Sequence, residues 1–126
     1  MSIQLSMVGL MVEDMAASLA FYRRLGLDIP ESADHDRFVM LRMESGVTLF
    51  WDTYFADTYD SNRTKPAGGY QSMLEFFLES NAAVDAKYRE LVDLGYHGRR
   101  EPVQTNGPYA AMVDDPDGNV ILITAG

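Results

Sequence analysis

The chain repeats one arrangement of apolar and polar positions. Residues 4–12 alternate, which places Val8, Leu10 and Val12 on one face of a strand and Met7, Gly9 and Met11 on the other. Helical spacing follows at Met15, Leu19, Tyr22 and Leu25, with Asp14 suited to cap the helix and Gly26 to stop it. Such a helix covers the Val8 face and leaves the Met7 face to line whatever the sheet curls around. Strands are predicted over 37–43 and 47–53, joined through Glu44-Ser45-Gly46, whose glycine tolerates positive φ.

The pattern restarts near Ser72. Leu74, Phe76 and Leu78 share one strand face, and Met73, Glu75 and Phe77 the other. Ser80 or Asn81 caps a helix striped by Val84, Tyr88, Leu91 and Leu94 and closed by Gly95. Strands at 96–103, 109–114 and 120–124 complete the unit. In the turn Asp115-Pro116-Asp117-Gly118-Asn119, Pro116 fixes φ and Gly118 supplies positive φ. The reading is a single α+β domain of two modules, 1–53 and 72–126, joined by a linker over 54–71 that breaks periodicity at Pro66, Gly68 and Gly69. The linker is rich in aromatic residues, Tyr54, Phe55, Tyr59 and Tyr70, which fits either a functional loop or plain packing.

Composition narrows the function classes. A chain of 126 residues, 47% hydrophobic, suits one compact domain. It has no cysteine, which excludes disulfides, thiolate metal sites and a cysteine nucleophile. No apolar run approaches the roughly 18 residues of a membrane span and the opening residues are polar, so a soluble cytoplasmic protein without a membrane partner is expected. Nineteen acidic residues against 10 basic give a net charge of −9, which opposes nucleic acid as a partner. An acidic surface attracts cationic small molecules, and it equally serves solubility alone.

The duplicated pattern and the Asp115–Asn119 turn resemble the vicinal-oxygen-chelate superfamily of glyoxalases, bleomycin resistance proteins and extradiol dioxygenases, over nearly the whole chain. The resemblance implies two βαβββ modules whose mixed sheets curl around a cavity. It also implies four metal-ligand positions, one early in the first strand and one in the last strand of each module. Here they fall on Met7, Phe50, Met73 and Leu122, whose side chains offer no useful nitrogen or oxygen donor, so neither a metal nor another cofactor is expected. His35, between Asp34 and Asp36, reads as a solvated turn, and His97 stands alone. The resemblance is nearest to the metal-free, bleomycin-resistance-like branch, to which Val47-Thr48-Leu49-Phe50 is similar, and it implies an antibiotic-sequestering homodimer.

The inward set is then Met7, Gly9, Met11, Thr48, Phe50, Asp52, Met73, Glu75, Phe77, Leu122 and Thr124, a soft apolar lining with two carboxylates. Methionine adapts its shape and contacts rings favourably, which suits a flat aromatic ligand. Candidate ligand contacts are Met7, Met11, Phe50, Asp52, Met73, Glu75, Phe77 and Leu122 from the strands. Trp51, although of the wrong parity, joins them with the linker residues Tyr54, Phe55 and Tyr59. Tyr109 lies near the position where the resistance branch carries a ligand-stacking loop. Ordinary core packing is the competing reading of the stripe, and Glu75 could serve structure alone by pairing with an arginine such as Arg42.

The function expected is metal-independent sequestration of an aromatic antibiotic or related natural product, planar polycycles above all, conferring drug resistance without a catalytic residue. The alternative is a glyoxalase-like lyase, dioxygenase or metal-free isomerase with Glu75 as general base. A structural or regulatory subunit with a vestigial pocket is a third reading.

Overall fold

The computed structural model describes residues 2–70 and 72–125. Gln71, the end of the expected linker, and both terminal residues lie outside that set. The chain divides into two compact units, Met1–Lys65 and Pro66–Gly126.

The first unit runs β1 (Met7–Met11), α1 (Met15–Leu25), a 3-10 helix (Glu31–His35), β2 (Phe38–Arg42), β3 (Thr48–Asp52) and a short α2 (Phe55–Thr58). Its strands form a sheet in the order β1-β3-β2, with β1 parallel and β2 antiparallel to β3. The Asp14 carboxylate accepts a 3.1 Å hydrogen bond from the Ala17 amide at the start of α1. At the other end Gly26, at φ 128°, donates its N–H to the Tyr22 and Arg23 carbonyls. Leu10, Val39, Leu49 and Trp51 supply the buried positions of the sheet, and Leu19, Phe21 and Tyr22 those of α1.

The second unit runs β4 (Met73–Leu78), α3 (Asn81–Asp93), β5 (Gly98–Gln104), β6 (Tyr109–Asp114) and β7 (Val120–Ala125), in the sheet order β4-β7-β6-β5. Ser80 caps α3 by accepting a 3.1 Å hydrogen bond from the Ala83 amide. The helix packs on β5, β6 and β7, with Val84 and Leu91 fully buried. Asp115 organises the β6–β7 turn. Its carboxylate accepts from the amides of Asp117 and Asn119, at 2.9 and 2.8 Å, and from the Asn119 side chain at 2.8 Å.

The mixed α+β architecture with two mixed sheets, of three and four strands, is the one expected. The units are not identical copies. The second has the full βαβββ order, whereas among its described residues the first places a 3-10 helix between α1 and β2 where another strand would run. Residues Glu31–His35 follow Pro30 and bury only Ala33, so no alternating apolar face is available for pairing. Arg23 ties the segment down instead, donating to the Ile29 and Pro30 carbonyls at 2.7 Å each and to the Asp34 carboxylate at 2.8 Å. Among the described residues no helix is long and apolar enough to cross a membrane.

Candidate functional site

Strand alternation and register decide what each sheet presents on the face that does not carry its buried apolar set. Paired residues in neighbouring strands point the same way. In the first sheet the rows on this face are Met7–Thr48–Arg42, Gly9–Phe50–Met40 and Met11–Asp52–Phe38. The Phe50 ring lies directly over Gly9 and stacks on Phe38, with ring centroids 5.2 Å apart and planes inclined by 28°. Met40 is 58% exposed beside them. The first sheet therefore offers a continuous aromatic and thioether surface.

Asp52 ends this face and is 3% exposed. Its carboxylate accepts a 2.8 Å hydrogen bond from the Tyr54 amide, which sets the start of α2, so part of its acceptor capacity serves the backbone. Tyr54 receives the Arg37 guanidinium over its ring at 4.6 Å, and Phe55 and Tyr59 pack together across α2 at 5.3 Å.

In the second sheet the rows opposite the face of Ile121, Ile123, Ala111 and Val113 are Met73–Val120–Asp114, Glu75–Leu122–Met112–Arg100 and Phe77–Thr124–Ala110–Val103, of which Val120, Thr124 and Ala110 are themselves buried. Phe77 is 73% exposed and Met73 is exposed as well. Glu75 is exposed and its carboxylate accepts a 2.9 Å hydrogen bond from the Thr124 hydroxyl. That hydroxyl, rather than Arg42, is the partner the structure gives it. Arg99 chelates Asp114 through two 2.7 Å hydrogen bonds and lies over the Tyr70 ring at 5.0 Å. The bidentate contact holds the Arg99 pKa above its ordinary value. The central row thus ends in a carboxylate on one edge strand and a guanidinium on the other, with Leu122 and Met112 between.

Two of the sequence candidates lie elsewhere. Trp51 is fully buried and meets Tyr22 of α1 edge-on at 5.3 Å, as its parity dictates, so it belongs to the helix-covered core of the first unit and not to the open face. Tyr109 points to α3, where its hydroxyl donates to the Asp85 carboxylate, because it shares a strand face with the buried Ala111 and Val113. A groove of about 480 Å³ on this side is lined by Asp85, Tyr88, Arg89 and Glu101 among others. Phe38, Met40, Met112 and Arg100 were not singled out from the sequence. The alternation in β2, with Val39 and Leu41 against Phe38, Met40 and Arg42, was the signal for the first two.

The register relates the four expected metal positions to one another. Phe50 stands opposite Gly9, and Leu122 opposite Glu75, while Met7 and Met73 precede those partners by two residues on the same faces. The four positions are therefore equivalent in the two units. Thioethers, a phenyl and an isobutyl group do not match the nitrogen and oxygen donors of a zinc, manganese or iron site. Among the described residues no group of three or more His, Cys, Asp or Glu is placed to hold a metal ion.

The sequence profile of the Glyoxalase/Bleomycin resistance protein/Dioxygenase superfamily matches residues 4–123. Among curated proteins none matches the chain. Solved structures share its fold. A hypothetical protein from S. aureus aligns with TM-score 0.81 at 21% identity, over 100% of this chain and 95% of that one. A glyoxalase/bleomycin resistance protein/dioxygenase family enzyme from Burkholderia phytofirmans PsJN aligns with TM-score 0.79 at 23% identity, over 98% of both chains. A lactoylglutathione lyase from Agrobacterium tumefaciens aligns more loosely, with TM-score 0.62 at 23% identity over 98% and 93%.

Proposed function

From the premise that the chain belongs to the Glyoxalase/Bleomycin resistance protein/Dioxygenase superfamily, we propose that it is a metal-independent binding protein that sequesters an aromatic antibiotic or related natural product as a homodimer. One observation carries the reading. The positions where the family resemblance places metal ligands hold Met7, Phe50, Met73 and Leu122, on sheet faces that also carry Met11, Phe38 and Met40 in the first unit and Phe77 and Met112 in the second.

Such a surface rewards contact with a flat ring. Sulfur–ring contacts contribute about 0.3–1.5 kcal/mol each, and ring–ring contacts a similar amount. The second sheet, taken by itself, ends its apolar row in a carboxylate at Glu75 and a guanidinium at Arg100, an acceptor and a donor that suit polar substituents on a ring. A planar polycycle suits the aromatic and thioether face of the first sheet. The net charge of −9 favours neutral or cationic compounds over anionic ones.

Native mass spectrometry of the protein with a panel of planar aromatic antibiotics tests the reading. A metal-free dimer carrying unmodified compound is the expected result. A compound whose mass has changed on release, with the change abolished by Glu75→Gln, would replace sequestration with catalysis at Glu75. Absence of any adduct at compound concentrations of about 100 μM, where even weak binders of roughly −5 kcal/mol begin to fill, would end the proposal.

A further inference from the structure

Gly9 sits in the middle of β1 without a positive φ, so its backbone is ordinary strand that any residue adopts. Glycine in a strand interior weakens the strand and commonly marks a close approach of another group. Here the approaching group is the Phe50 side chain. A Cβ built on Gly9 would fall 2.0 Å from the ring's Cζ and 2.4 and 2.6 Å from its two Cε atoms. It is therefore the missing side chain, and not backbone freedom, that the position uses.

We infer that Gly9 is a specificity-determining positioning residue. By leaving β1 bare it lets the Phe50 ring lie flat across the strand and stack on Phe38, and this makes the face a platform selective for planar ligands. The inference rests on the aromatic-binding reading above and deepens it by naming the residue that sets the preference for flat fused rings over bulky or globular apolar groups. The register supports it, because Gly9, Phe50 and Met40 form one row across the whole sheet and Phe38 lies in the next. The second unit lacks the device. There the position equivalent to Gly9 is Glu75, and the residue opposite it, equivalent to Phe50, is Leu122, which has no ring to lay across the strand.

An aromatic laid across an edge-strand glycine is also a way to stabilise a sheet. The two roles separate in a binding cycle. A methyl at position 9 meets the far end of a side chain that can rotate, so Gly9→Ala keeps the fold while driving the Phe50 ring off β1 and out of its stack. Affinity for a planar probe, 1,8-dihydroxyanthraquinone, is measured by fluorescence titration for wild type, Gly9→Ala, Phe50→Leu and the double variant, with circular dichroism to verify folding. Gly9→Ala and Phe50→Leu are each expected to weaken binding about tenfold, and the double variant no further, because the ring is already displaced. Loss of the Phe38–Phe50 contact in the NMR spectrum of Gly9→Ala provides a readout without ligand. Undiminished binding by Gly9→Ala, or losses that multiply in the double variant, would overturn the positioning role alone. A wild type that binds no planar probe would overturn the aromatic-binding reading and this inference with it.

Discussion

The Tyr109 hydroxyl, on β6, donates a short hydrogen bond to the Asp85 carboxylate on α3, 24 residues earlier in the chain. Holding its proton against an anion raises the pKa of the phenol above its ordinary value, with burial and the Asp85 charge adding in the same sense. A phenol whose pKa is higher folded than unfolded stabilises the fold fully below the unfolded value. That contribution is lost as pH rises through the folded value. Stability is therefore expected to fall on the alkaline side of pH 10, and Asp85→Asn to make that fall shallower and bring one tyrosine back into the ordinary titration range. Ultraviolet titration of wild type and variant, with denaturation at pH 8 and pH 11, checks both.

Trp51 and Phe77 predict opposite outcomes for aromatic truncation. Trp51 is fully buried against Tyr22, so Trp51→Ala should cost about 3–5 kcal/mol and unfold much of the population in mild urea. Phe77 is 73% exposed, so Phe77→Ala should change stability by no more than about 0.5 kcal/mol. If Phe77 touches the ligand, the same substitution weakens binding severalfold at constant stability. Iodide should leave the fluorescence of wild type, whose tryptophan is enclosed, almost unquenched.

Asp115 is 4% exposed and its carboxylate accepts three hydrogen bonds within the β6–β7 turn. Asp115→Ala leaves the Asp117 and Asn119 amides without that acceptor and should cost about 2–4 kcal/mol in urea denaturation. Asp115→Asn keeps one carbonyl acceptor and should cost less than half as much. Equal losses for the two variants would show that the charge, rather than the geometry of acceptance, holds the turn.

The donor set at Met7, Phe50, Met73 and Leu122 makes a further prediction. Dialysis against a chelator should leave ligand affinity within about twofold. Addition of zinc, manganese or ferrous ion at 100 μM should not raise the melting temperature, since an ion that binds the native state a hundredfold below its concentration would stabilise it by about 2.7 kcal/mol. A one-to-one metal complex detected by mass would contradict the assignment.

Much of this was legible in the sequence because it depends on neighbours along the chain. The parity of residues 7–12, the caps at Asp14 and Ser80 and the turn at Pro116 and Gly118 are local, and each appears where the pattern puts it. Trp51 obeys its parity too; only its candidacy as a ligand contact argued otherwise. What escaped depends on partners distant in sequence. The laying of Phe50 across Gly9 needs the parallel register of β1 and β3, and the turning of Tyr109 to Asp85 needs α3 docked over β6. Asp52 is a local case: its carboxylate accepts from the Tyr54 amide two residues on, a turn hydrogen bond that Asp makes readily and that competes with its reading as a ligand acceptor. Four residues of helix at Phe55–Thr58 carry too short a period to stand out from an aromatic loop.

Each unit pairs its first strand with its last, Met7 with Thr48 and Met73 with Val120. In both units this last strand is also interior to its sheet, β3 between β1 and β2, and β7 between β4 and β6. The order of synthesis thus runs against the order of assembly. β4, β5 and β6 leave the ribosome before the strand that joins β4 to the other two exists. Until Val120–Ala125 arrives, the exposed edge of β4 is open to strands of other chains, and the hazard for this protein lies in the interval before its own β7 closes the gap.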